Sequence, residues 1–182
     1  MQKDILIPEP KLSKLLFADT RFAWVWLFVR FYVGWEWLTA GWEKVYSSAW
    51  VGPDAGGALK GFLVGALQKV SGAHPDVQEW YAAFLNNVVM PNASFFSHLV
   101  AFGEVLVGVA LIIGIFTGVA AFFGSFMNMN YLLAGTVSSN PILFFFSLFL
   151  ILAWRVAGWI GVDRFLLPAL GTPWHKGELF KK

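Results

Sequence analysis

Cysteine is absent from this 182-residue chain. With it go disulfides, cysteine-held iron–sulfur clusters, covalent c-type haem and any thiolate nucleophile. Charge is scarce too: Asp, Glu, Lys and Arg make up 13% of residues, against about 25% in soluble domains. Net charge is only +2, with no basic run suited to nucleic acid. Of the histidines, His74, His98 and His175, only His98 falls at an apolar stretch. Paired haem ligands and zinc or di-iron spacings are therefore missing, and no metal cofactor is expected. What fills the chain instead is hydrophobic (58%) and aromatic (18%), with a mean hydropathy of +0.64. So little polar surface excludes a soluble enzyme and a disordered linker.

A helix crossing a bilayer needs roughly 20 apolar residues, and four stretches qualify: 22–42, 95–116, 117–137 and 141–160. Gly114, Thr117 and Gly118 supply the turn between the second and third. The connection Val137-Ser-Ser-Asn-Pro141 is equally tight, with Pro141 placed to start a helix. The expected fold is an all-α integral membrane protein, a four-helix bundle forming one domain over residues 1–182. Lys3, Lys11, Lys14 and Arg21 precede the first span, and Arg164, Lys176, Lys181 and Lys182 follow the fourth. The 46–94 loop holds only Lys60 and Lys69. The positive-inside rule then places both termini in the cytoplasm and the loop outside.

That loop is too long for a simple connector. Gly57 to Val70 suggests a short helix. Asp76 to Met90 suggests another, with Val77, Trp80, Tyr81, Phe84 and Val88 forming its apolar face. It would cap the bundle or lie in the outer interface.

Charges inside spans cost roughly 2.5–3.5 kcal/mol each, so each one calls for an explanation. Arg30, Glu36, Glu43 and Lys44 fall in or beside the first span, Glu104 in the second, Asn128 and Asn130 in the third, and Arg155 in the fourth. At a rise of about 1.5 Å per residue, Glu36 and Glu104 both lie roughly 14 Å below the outer boundary, with Asn128 and Asn130 at similar depth. By helical phase, Arg30, Gly34, Trp37, Gly41 and Lys44 form one stripe, and Glu36 and Glu43 a second. Glu36 and Glu104 are the candidate catalytic carboxylates, because a buried carboxylate must be paired, hydrogen-bonded or protonated. Bland alternatives stand beside this: Glu43 and Lys44 as boundary residues, Arg30 and Arg155 snorkelling or pairing with Asp163, and glycines 103, 108, 114, 118 and 124 as packing positions. Trp35 and Trp37, deep in the first span, are candidate walls for a quinone ring or plain packing residues.

Arg30-x3-Gly34 with Ala40-Gly41-x2-Lys44 resembles the DoxX family of small four-helix membrane proteins. So do Phe102-Gly103-Glu104-x3-Gly108, Leu111 to Thr117, Asn128, Asn130, Ala134-Gly135-Thr136, Asn140-Pro141 and Gly161-Val162-Asp163. The long loop with Trp50 and Trp80-Tyr81 is closer to the DoxD branch, taken as the large subunit of thiosulfate:quinone oxidoreductase. The resemblance implies a protein of a prokaryotic cytoplasmic membrane, passing electrons from thiosulfate to quinone as co-substrate and making tetrathionate, with a DoxA-like subunit or a second copy as partner. It marks Arg30, Lys44, Glu104, Asn130 and Asn140 as pattern-defining positions, and Asn128 joins them as a substrate-binding candidate on depth. Two other functions fit the same residues: a non-catalytic anchor for a redox complex, or a small-solute or proton pathway.

Overall fold

The computed structural model describes residues 9–171. Lys3, His175, Lys176, Lys181 and Lys182, on which part of the charge and histidine reading rests, lie outside them. Among the described residues the chain is all-helical, with no strand. Its helices are α1 (Lys11–Ala18), α2 (Ala23–Val45), α3 (Gly57–Leu67), α4 (Glu79–Phe84), α5 (Ala93–Ile113), α6 (Thr117–Leu133), α7 (Asn140–Leu152), α8 (Trp154–Ala157) and α9 (Asp163–Ala169). Of these, α5 alone is both long and apolar enough by itself to cross a membrane.

The long helices pack as two pairs, α2 on α5 and α6 on α7, which meet less closely along α5 and α6. Glycine sets the first pairing. A Cβ on Gly41 would lie 2.6 Å from the Val105 backbone nitrogen, and one on Gly108 would lie 2.5 Å from that of Leu38. The two backbones therefore touch, as small residues allow. The stripe from Arg30 through Gly34, Trp37 and Gly41 is the buried face of α2. Around it Trp26, Val33, Trp37, Leu111, Ala121, Leu143 and Leu150 form the bundle core.

The ends of α2 and α5 fall within three residues of the expected ones, and three other features differ from the sequence expectation. Helix α6 stops at Leu133 rather than 137, because Gly135 takes a left-handed turn (φ +69°) and the Lys69 ammonium donates to its carbonyl at 2.6 Å. The fourth span is not one helix to residue 160. It turns at Ala153 and unwinds after Ala157, where Gly158 makes room for the Asp163 side chain. In the loop, α4 continues as a wide turn over Leu85–Val89, with Met90 N–H donating to Leu85 O at 2.8 Å. The extra residue in that turn brings Val89 rather than Val88 inward. Val77, Tyr81, Ala82, Leu85 and Val89 are buried, while Trp80 and Val88 are exposed and Phe84, partly exposed, lines the cavity described below. With Leu59, Leu63, Ala93 and Ala134 the inward residues make a second core, so the loop caps one end of α5 and α6.

Candidate functional site

The close crossing at Gly41 brings the end of α2 against the middle of α5. Glu104 is buried there, and two partners share its carboxylate. Lys44 Nζ donates to Oε2 at 2.6 Å, and the Tyr131 hydroxyl, from α6, donates to Oε1 at 2.7 Å. Lys44 also reaches the Ala40 carbonyl at 3.4 Å and sits 5.2 Å from the Trp50 ring centroid. About a fifth of its side chain remains exposed (19%), against 1% for Glu104. Each oxygen of a carboxylate that would otherwise be prohibitively costly to bury thus has a donor.

Beside this cluster, where α5 and α6 diverge, lies a cavity of about 620 Å³. Its walls are nearly all apolar, including Phe62, Leu85, Phe96, Val107, Phe123 and Met127. Leu99, Leu106, Val119, Phe123 and Phe126 are both wall residues and strongly exposed, so the mouth opens sideways between the two helices. Helices α3 and α4 contribute walls at the loop end. Of the lining residues only Tyr81, Asn130 and Tyr131 carry polar side chains. The Tyr81 hydroxyl donates to the Asn130 backbone and side-chain oxygens at 3.1 and 3.0 Å, and Asn130 Nδ2 donates to Phe126 O at 2.7 Å. Burial pushes the Tyr81 phenol up to about 12, so it stays a neutral donor at physiological pH. A large apolar chamber with a few polar groups at one end suits a ring with polar substituents and a hydrocarbon tail.

The other sequence candidates lie elsewhere. Arg30 is fully buried about 21 Å along α2 from Lys44, donating to Ile160 O at 2.7 Å and Ala157 O at 3.3 Å. Close by, Asp163 accepts the backbone N–H groups of Phe116 and Thr117 at 2.7 and 2.8 Å. These two charges tie the unwound end of the α7–α8 segment to α2 and cap α6. Arg155 pairs with Glu9 at 3.2 Å on the surface. Glu36 is half-buried, and its carboxylate has neither hydrogen bond nor ion pair among the described residues. Gly41 rather than Glu36 abuts Glu104, which leaves Glu36 about 8 Å away along the axis. Trp35 is exposed and Trp37 buried against Gly124, so they do not form one wall. Asn128 is buried with no partner for either amide atom, and Asn140 Nδ2 donates to Thr136 O at 3.2 Å. Among the described residues no group of three or more histidine, aspartate and glutamate side chains could hold a metal ion.

Tyr131 and Tyr81 carry the site's hydroxyls, and sequence reading gave neither a polar role. The available signal was adjacency: Tyr131 follows Asn130 within an apolar span, where a phenol needs a partner.

The family described as TQO small subunit DoxD matches the chain over residues 25–175. That description names the small subunit, where the resemblance had implied the large one. No curated protein and no solved structure matches the chain.

Proposed function

The chain belongs to the DoxD family, and from that premise we propose that it is the quinone-binding membrane subunit of a thiosulfate:quinone-type oxidoreductase. The observation that carries this reading is the apolar cavity between α5 and α6, with its sideways mouth and its hydroxyl-bearing end. A quinone diffuses within the bilayer, so its site must open laterally to lipid. Its tail matches the aromatic and aliphatic walls, and its carbonyls match Tyr81 and Asn130.

In this reading α2, α5, α6 and the α7–α8 segment all cross the membrane. Their outward faces carry Phe28, Phe31, Trp35, Leu106, Phe122, Phe126, Phe145 and Leu152, all exposed. So broad an apolar belt is untenable in water. Both termini face the cytoplasm and the 46–94 loop faces outward, following the lysine and arginine asymmetry. Lys44 is the cation nearest the loop side of the cluster, but its charge is already shared with Glu104. Thiosulfate, a dianion, would therefore need further cations, from Lys60 and Lys69 of the loop or from a partner subunit.

The test uses the full chain in lipid nanodiscs and decylubiquinone, read by quenching of tryptophan fluorescence. Gly103 lines the cavity, and the nearest atom to a Cβ there is Met127 Sδ at 3.5 Å. Gly103→Phe should thus fill the cavity without moving backbone and weaken binding by tenfold or more, on the order of 1.4 kcal/mol. Equal binding by both proteins would refute the site.

A further inference from the structure

Resting on the quinone reading above, we propose that Tyr131 is the proton donor to the bound quinone, resupplied through Glu104 and Lys44 from the loop-side surface. Tyr131 belongs to two arrangements at once. Its side chain is part of the cavity wall, and its hydroxyl is bonded to Glu104, which in turn is bonded to Lys44. Lys44 is the member of this chain that reaches the surface. Among the described residues Tyr81, the other phenol in the wall, donates only to oxygens of Asn130, and no hydrogen bond leads on from there to a charged group. The remaining lining is apolar apart from Asn130, so a proton must enter through side chains rather than bulk water.

The chemistry balances. Two thiosulfate anions joined by a new S–S bond give tetrathionate and release two electrons. A quinone takes those two electrons and two protons to become a quinol. For each proton, the Tyr131 O–H bond breaks as an O–H bond forms on a ring carbonyl oxygen. The Lys44 ammonium then passes a proton to the Glu104 carboxylate, the carboxylic acid so formed passes it to the phenolate, and the neutral Lys44 amine takes a proton from water at the surface, leaving hydroxide there. A second round, after the ring turns to present its other carbonyl oxygen, completes the quinol. In the resting structure Tyr131 points its proton at Glu104, so delivery begins with rotation of the hydroxyl about its single bond.

The experiment measures thiosulfate-dependent reduction of decylubiquinone by native membranes that hold the complete enzyme. Tyr131→Phe keeps the aromatic wall and removes only the hydroxyl. It should lower kcat by about 100-fold or more, with KM for decylubiquinone held within about threefold. Glu104→Gln should show the same split, and it carries the test alone if Tyr131→Phe does not accumulate. A raised KM with kcat unchanged would make Tyr131 a binding residue and overturn the proposal. Wild-type turnover in either variant, with decylubiquinone still quenching the nanodisc protein, would also overturn it while leaving the quinone site standing. If decylubiquinone does not bind the wild-type chain, the quinone reading itself fails.

Discussion

Stranding Glu104 should destabilise the protein more than stranding Lys44, because the two partners differ in their access to water. Glu104 is 1% exposed and Lys44 19%. In Lys44→Met the carboxylate keeps only the Tyr131 hydroxyl, so a buried charge loses its counter-ion. Such losses cost about 3–5 kcal/mol, and the remaining charged hydrogen bond limits this one to about 3 kcal/mol. In Glu104→Gln the freed ammonium swings from the Ala40 carbonyl and Trp50 ring toward water. The new amide still accepts from Tyr131, so the expected loss is about 1 kcal/mol. The double variant buries no charge and should lie close to Glu104→Gln, giving a coupling energy of at least about 2 kcal/mol. Reversible unfolding of the four proteins in mixed micelles, with stability extrapolated to zero denaturant, closes the cycle. If Glu104→Gln costs as much as Lys44→Met, or if the two losses simply add, then the pair does not govern the stability of this crossing.

Arg30→Leu removes two charge-assisted bonds to the Ala157 and Ile160 carbonyls, and should cost about 3 kcal/mol in the same assay. Its decylubiquinone affinity should match wild type, and a large affinity loss would return Arg30 to the site. Asn128 is buried with both amide atoms unpartnered, so Asn128→Leu should hold or raise stability, by up to about 2 kcal/mol; a loss would mean that the amide holds a bound molecule. At the surface, hydrogen bonds from the Arg21 side chain, followed by its backbone N–H, lower the Asp19 carboxyl to about 2. A depressed value means that the interaction is intact above the ordinary carboxylate range and is lost as pH falls through about 2. Titration of the Asp19 carboxyl carbon by NMR should find that midpoint, and Arg21→Ala should return it toward about 3.9.

The sequence reading captured what lies along each helix and missed what depends on partners. Hydrophobic run lengths marked α2, α5 and α6 to within a few residues, and phase identified the buried stripe of α2, because both follow from local chain geometry. The fourth span was misjudged at its end. The hydropathy of Trp154 to Ile160 carries no trace of Asp163 folding back onto Gly158 or of Arg30 claiming two carbonyls. The face of α4 was misjudged for a similar reason. A wide turn at Leu85–Val89 breaks the 3.6-residue periodicity and leaves Val89 rather than Val88 buried, and no residue type announces it.

Counting residues from an outer boundary set Glu36 and Glu104 level, but the two helices are offset along their axes, so that Gly41 and not Glu36 lies beside Glu104. Gly41 decides their offset by letting α5 close on α2 beside Glu104. The same contact places Lys44 within reach of that carboxylate, one helical turn beyond. A glycine that reads as one member of the α2 stripe and a lysine that reads as a boundary residue are therefore joined parts of one arrangement. The glycine supplies the proximity that lets the lysine's charge be used on a buried group. Gly103, one residue before Glu104, has the opposite consequence. No backbone fills its open side, and the space left there belongs to the cavity. Along two successive residues of α5 the chain turns from the ion pair to the proposed quinone chamber, and Tyr131, across on α6, is the side chain that touches both.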